Sequence, residues 1–252
     1  MISLEGQTAV ITGGSRGIGA ACAIYFAKAG ADVVITYAHN AAAAANVVAK
    51  VEALGRKCLA VKADVSQEKS AKIVVERTMK KFGKIDVLVN NAAIWTFGEI
   101  GDFPAAVWKE TMDVNVNGTF YITNAVVPHM KKRRSGKIIM ITSTAGQRGE
   151  AQHSHYAASK GALISFTKAI STELAPFNIT VNSVAPGWVD TELNAENFKN
   201  KKFKEEVRKG IPLGRIPSAE DIAGPVLFLA SDLARHITGE IMNVNGGSVL
   251  VG

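Results

Sequence analysis

Tyr156 and Lys160 stand four residues apart in an apolar, helix-like run, and Ser143 lies thirteen residues upstream of the tyrosine. Residues at that spacing share one face of an α-helix. An ammonium beside a phenol favours the phenolate and lowers a pKa that is about 10 in water. A phenol tuned in this way exchanges protons near neutral pH. An ordinary buried tyrosine with a lysine running past it has the same spacing, so the pair alone leaves both readings open.

A second pattern lies near the amino end. The apolar run Thr8 to Thr12 is followed by Gly13-Gly14-Ser15-Arg16-Gly17-Ile18-Gly19 and then by the helical run Ala20 to Ala29. Strand, glycine turn and helix in that order read as a nucleotide site. Gly13 permits the sharp turn, Gly17 lets the backbone approach a pyrophosphate, and Gly19 allows tight helix-on-strand packing, with the phosphate at the positive helix terminus.

The remaining elements must bring these two patterns together. Apolar strands are expected at Thr8 to Thr12, Asp32 to Tyr37, Lys57 to Lys62, Val87 to Asn90, Lys137 to Ser143, Thr180 to Ala185 and Glu240 to Val244, with helical segments between them. That alternation predicts a doubly wound, Rossmann-type parallel sheet with helices on both faces. Near-continuous runs such as Ile138-Ile139-Met140-Ile141 suit strands buried on both sides. The ligand crevice then lies at the carboxyl ends of the strands, where Thr12, Asp64, Asn90, Ser143 and Pro186 fall. Ala41 to Leu54, closed by Gly55, reads as a capped helix. The 252 residues fit one domain, 1–252, without a linker or repeat.

Composition narrows the function classes. No apolar stretch is long enough to span a bilayer and no charged segment precedes an apolar core at the amino terminus, so a soluble, cytoplasmic protein is expected. Cys22 and Cys58 suit reduced, buried thiols. The net charge of +7 gathers at Lys131-Lys132-Arg133-Arg134 with Lys137, and again between Lys199 and Lys209. Without a recognition motif or interleaved aromatics, nucleic acid is not expected as a partner. Solvated faces or attraction of anionic substrates and cofactors account for the charge.

Taken in order, Thr12 to Gly19, Asp64-Val65, Asn90-Asn91-Ala92-Ala93, Asn115, Ser143, Tyr156 to Lys160, Pro186-Gly187, Ile237-Thr238-Gly239 and Val244-Asn245-Gly246-Gly247 resemble the motifs of the classical short-chain dehydrogenases/reductases over essentially the whole chain. The chain departs at Ala93, where the family usually has glycine. The resemblance implies about seven strands in the order 3-2-1-4-5-6-7, a substrate lid around residues 191–212, a homotetramer, no metal, and hydride transfer between a nicotinamide dinucleotide and a ketone or secondary alcohol. It makes Tyr156 the proton donor or acceptor, Lys160 the group that lowers the Tyr156 pKa and binds the nicotinamide ribose, Ser143 the group that orients the substrate oxygen, and Asn115 the residue that disturbs its helix and holds a relay water. Ser143 as a simple cap and Asn115 as a satisfied helix polar are the plainer alternatives. For the cofactor it implies Gly13, Ser15, Arg16, Gly17, Ile18, Gly19, Tyr37, Asp64, Val65, Asn90, Ala92, Tyr156, Lys160, Pro186, Gly187, Val189 and Thr191.

NADPH is expected over NADH. The second strand ends in Ile35-Thr36-Tyr37-Ala38-His39-Asn40, with no carboxylate to bind a ribose 2′-hydroxyl, and Arg16 offers a guanidinium to a 2′-phosphate.

In look, the glycine turn, Pro212-Leu213-Gly214-Arg215 and the carboxyl-terminal motifs are most similar to bacterial 3-oxoacyl-[acyl-carrier-protein] reductases, which implies an acidic acyl carrier protein steered by the two basic clusters. Phe177 stands where those enzymes tend to carry a basic docking residue, whereas Arg134 matches the other one. His153-Ser154-His155 and Ile94-Trp95-Thr96-Phe97-Gly98 also depart from their pattern. Trp95, Phe97, His153 and Trp188 would instead line a pocket for a free sugar, cyclic alcohol or other compact ketone. A non-catalytic dinucleotide-binding scaffold is the third reading, and the intact catalytic residues weigh against it.

Overall fold

The computed structural model describes residues 2–250, so Val251 and Gly252 of the apolar terminus fall outside the described residues. Seven parallel strands run β1 Thr8–Ile11, β2 Asp32–Tyr37, β3 Cys58–Lys62, β4 Val87–Asn90, β5 Gly136–Ile141, β6 Ile179–Pro186 and β7 Ile241–Val244. They lie in the order β3-β2-β1-β4-β5-β6-β7. Each strand agrees with its expected range to within two residues. The order reverses between β1 and β4, which opens a crevice at their carboxyl ends.

The helices are α1 Gly17–Lys28, α2 Ala41–Ala53, α3 Glu68–Phe82, α4 Ala105–Met112, α5 Gly118–Arg133, α6 Ala145–Arg148, α7 Ser154–Leu174, α8 Ala195–Lys199, α9 Lys201–Lys209 and α10 Ala219–Ala230, with a π-helical turn over Asp113–Asn117. Strand residues alternate between two cores. Ile11, Val33, Ile35, Val87 and Val89 pack with Phe26 of α1 and Val226 of α10 on one face. Val10, Val34, Leu88, Ile138 and Met140 pack with Val74 of α3, Val126 of α5 and Leu174 of α7 on the other. The period of two along each strand sends alternate side chains to opposite faces, and each fully buried side chain contributes about 2 kcal/mol. Cys22 and Cys58 are free and buried in the first core. Burial pushes their thiols up, to about 12 and about 11. Among the described residues no helix is long and apolar enough to cross a membrane.

Candidate active site

A cleft of about 800 Å³ crosses the carboxyl ends of the strands, from the glycine turn to Tyr156. At its first end the walls are backbone. Gly13 has φ +62° and donates its N–H to Thr36 Oγ1 at 3.1 Å. Thr12 Oγ1 accepts from the backbone of both Asn91 and Ala92 at 3.0 Å, while Asn91 Nδ2 donates to the Thr12 and Gly13 carbonyls at 2.9 and 3.1 Å. A Cβ on Gly19 would strike the Gly13 carbonyl oxygen, so α1 lies against the turn as only glycine allows. The helix has no side-chain cap and no acidic residue in its first turn. Its N–H groups and positive end are therefore left for an anion. A pocket of this volume, with an open helix terminus and a glycine-lined entry, fits a dinucleotide.

Ser15, Arg16, Gly17, Ile18, Asp64, Val65, Ala92, Pro186, Gly187, Val189 and Thr191 all line this cleft, together with Ser143, Tyr156 and Lys160. Three sequence expectations need correction. Tyr37 packs its ring against the α1-side core, and Thr36, Ala38, His39 and Asn40 edge the cleft in its place. The Asn90 side chain is buried on the opposite side of the sheet, donating to Thr123 Oγ1 at 3.0 Å and lying 3.3 Å from Met140 Sδ. Its neighbour Asn91 faces the turn, since consecutive residues of an extended segment point oppositely. Gly19 shapes the turn from beneath without lining the cleft.

At the middle of the cleft β5 and α7 meet. A Cβ on Gly146 of α6 would lie 2.6 Å from the Lys160 backbone, so this glycine lets α6 pack flush on α7 and brings Ser143 beside Tyr156. Lys160 Nζ donates to the Ile141 carbonyl at 2.8 Å and lies 5.5 Å from the Tyr156 ring centroid. Both side chains are buried. Burial lowers Lys160 to about 8. It raises Tyr156 to about 12, the Ser143 hydroxyl drawing it back and the Glu150 carboxylate adding to the rise. At the phenol, desolvation outweighs the nearby groups.

Asn115 sits in the π-helical turn, where its helix was expected to be disturbed. Its amide pairs with the Ile94 backbone, accepting from the N–H at 2.9 Å and donating to the carbonyl at 3.1 Å, and donates to Ser159 Oγ at 3.0 Å. Ser159 Oγ in turn donates to the Tyr156 carbonyl at 2.7 Å. Asn115 is thus fully buried behind the cleft, clamping the segment before Trp95 to α7.

The far end is walled by rings. Trp95 meets Tyr156 edge-on at 4.5 Å between centroids and Trp188 at 5.6 Å. Trp188 meets Phe203 at 5.4 Å and Phe198 at 5.9 Å, carrying the aromatic contact into α8 and α9. His153 does not line the cleft but stacks on Trp95 at 3.8 Å, its Nδ1 within 3.0 Å of the Ala151 carbonyl. Phe97 is 63% exposed and stands against His153, outside the cleft. Both are corrections of the expected pocket, which keeps Trp95 and Trp188. The sequence reading missed Arg148 and Glu150, which also line the cleft.

Both basic clusters are partly ion-paired. Between Asp190 and Lys209 six basic side chains face five acidic ones, leaving +1. Lys204 pairs with Asp190 at 2.7 Å and Arg208 with Glu205 at 2.6 Å. The stretch from Lys131 to Lys137 has five basic residues and no acidic one, its partners coming from elsewhere: Lys131 pairs with Glu173 at 3.5 Å, Arg133 with Asp86, and Lys137 with Asp232 at 3.6 Å. Arg134 donates to the Pro176 carbonyl at 2.7 Å, and Lys131 lies over the Phe177 ring at 4.8 Å.

Residues 13–248 match the family model described as enoyl-(acyl carrier protein) reductase. The chain is 41% identical to a 3-oxoacyl-[acyl-carrier-protein] reductase of Synechocystis, over 99% of this chain and 100% of that one. It is 38% identical to an L-rhamnose 1-dehydrogenase (NAD(P)(+)) of Sphingomonas, over 97% and 96% of the two chains. Among solved structures it superposes on a protein of Sinorhizobium meliloti provisionally assigned as a short-chain alcohol dehydrogenase, with a TM-score of 0.93 at 33% identity, covering 98% and 97% of the chains.

Proposed function

The chain belongs to the short-chain dehydrogenase/reductase family and is an oxidoreductase, and from that premise we propose that it transfers hydride between NADP(H) and a compact, free cyclic alcohol or ketone. The observation that carries the substrate class is the Trp95 ring set edge-on to Tyr156 and closed off by Trp188. A wall of this kind suits one face of a small ring better than an extended acyl chain.

The nicotinamide, when bound, supplies or takes up the hydride. Tyr156 gives its phenolic proton to the carbonyl oxygen in reduction and receives the hydroxyl proton in oxidation. Ser143 holds the oxygen by a hydrogen bond, and Lys160 stabilises the phenolate whenever its ammonium is charged. Asn115 positions α7 and the Trp95 segment together. Preference for NADP(H) is supported by Arg16, exposed at the cleft edge, and by the lack of a carboxylate from Thr36 to Asn40.

A second reading, a carrier-protein-borne 3-oxoacyl substrate, is favoured by the basic run Lys131 to Arg134, in which Lys131 pairs with Glu173 and Arg133 with Asp86 while Lys132 and Arg134 add further positive charge. One experiment separates the two readings: oxidation of NADPH and of NADH by the purified protein with acetoacetyl-carrier protein, the same acyl group on a small thiol, and a panel of cyclic ketones. Turnover concentrated on the compact ketones, with NADPH giving a kcat/KM about tenfold or more above NADH, is the expected result. A strong preference for the carrier-borne substrate that weakens with salt would overturn the substrate class, and equal efficiency with NADH the cofactor preference.

A further inference from the structure

We propose that the ion pair of Arg148 and Glu150 is a hydroxyl-recognition subsite that selects neutral, polyhydroxylated rings over plain cyclic alcohols and over anionic substrates. The inference rests on the compact-ring reading above and names the chemistry of the ring. The two residues flank Gly149, whose φ of +82° turns the chain between α6 and α7. The turn is tied down by the His153 N–H donating to the Glu150 carbonyl at 3.2 Å. Their side chains converge so that Arg148 Nη2 donates to Glu150 Oε2 at 2.6 Å. Both border the cleft that holds Tyr156 and Trp95. The pair remains reachable, with Arg148 47% and Glu150 21% exposed, and Glu150 is close enough to the phenol for its charge to be felt there.

The chemistry of the pair identifies its ligand. A guanidinium has only donors and a carboxylate only acceptors, whereas a hydroxyl is both at once. Two neighbouring hydroxyls on a ring therefore satisfy the free donor and acceptor positions of the pair together. The hydrogen bonds are charge-assisted and stronger than neutral ones. An anion drawn to Arg148 meets the Glu150 carboxylate beside it, and an ammonium drawn to Glu150 meets the guanidinium, so a neutral ligand is favoured over either. Trp95 offers the same ligand an apolar wall for its C–H face. A cyclic polyol has one face of each character; a plain cyclic ketone has no use for the ion pair.

The test measures NADP⁺ reduction by the holoenzyme with unphosphorylated aldoses and cyclitols beside cyclohexanol and cyclopentanol, for the wild type, Glu150→Gln and Arg148→Met. The wild type is expected to prefer the polyols in kcat/KM. Each substitution is expected to reduce the polyol-to-plain ratio by about tenfold to hundredfold, chiefly through KM, the span that loss of one charge-assisted hydrogen bond produces. A wild type that prefers the plain alcohols, or a ratio unmoved within twofold in both variants, overturns the subsite while leaving the compact-ring reading in place. Turnover of acyl thioesters with none of the rings overturns both.

Discussion

The two ends of the cleft are made of different material. The dinucleotide end is backbone: a glycine turn, an uncapped helix terminus, and carbonyls locked by Thr12 and Asn91. The other end is side chains: the Trp95 and Trp188 rings, and the pair of Arg148 and Glu150. Backbone groups are the same in every residue, so the first end can hold the pyrophosphate of a shared ligand with little dependence on side-chain chemistry, leaving to Arg16 only the choice at the ribose 2′-position. Side chains discriminate, and the second end is where relatives of one fold can part company in substrate. It follows that the first end should fail when atoms are added and the second when they are removed.

The largest expected effect comes from adding one methyl at Gly19. The new Cβ would collide with the Gly13 carbonyl oxygen, and neither partner is the movable tip of a side chain. Overpacking costs about 1–3 kcal/mol, and a rigid backbone clash belongs at the upper end. Gly19→Ala is expected to weaken dinucleotide binding at least about tenfold, with a lowered melting temperature. Gly224→Ala in α10, where a Cβ meets nothing within 4 Å, is the control and should stabilise slightly. Normal dinucleotide affinity in Gly19→Ala, read by titration, would break the contrast between the two ends.

Between the ends, Lys160 carries a cost of burial that pH reveals. Its folded pKa of about 8 lies below its ordinary value of 10.5, with desolvation as the cause. The unfolded chain therefore holds this proton more tightly than the folded one, and stability rises with pH between those two values. Below about pH 8 the full cost is present. For the dinucleotide-free protein the gain from pH 7 to 9.5 should be about 2 kcal/mol relative to Lys160→Met, measured by denaturant unfolding. Tyr156 has the opposite sign, since its folded pKa of about 12 is raised, but it contributes only as the unfolded phenol ionises near pH 10 and above. Parallel pH curves for wild type and Lys160→Met would mean that the ammonium stays hydrated.

The same division explains what could be read from sequence. Strands such as Ile138 to Ile141 and the turn from Gly13 to Gly19 were legible because local pattern specifies them, and the π-helical turn at Asn115 coincides with a polar residue in a helix that leads to buried Gly118. Tyr37 and Asn90 were misplaced because motif position was followed without the pleat, although the period of two would have assigned Thr36 and Asn91 to the cleft side. The raised phenol pKa was illegible, since spacing shows that Lys160 is near but not how dry the site is. Glu150 was overlooked because nothing near it in sequence marks it as facing Tyr156; only the turn at Gly149 and the packing of α6 on α7 bring it there.

The smallest effect tests the side-chain end by subtraction. Trp95 touches three rings at once: His153 behind it, Tyr156 at its edge and Trp188 across the cleft. Trp95→Ala removes the wall against which a ring substrate would lie, while Tyr156 keeps its hold from Ser143 and α7. An aromatic contact is worth about 0.5–1.5 kcal/mol beyond its buried area, so KM for a cyclic substrate should rise about tenfold. Dinucleotide affinity should not follow, because no backbone group of the glycine turn rests on this ring. His153→Ala leaves the Trp95 ring without its stacking partner and should give a fraction of the same KM effect through loosened positioning. If Trp95→Ala instead weakens the dinucleotide as much as the substrate, the two ends are one coupled site, and the division between backbone and side-chain recognition fails at its centre.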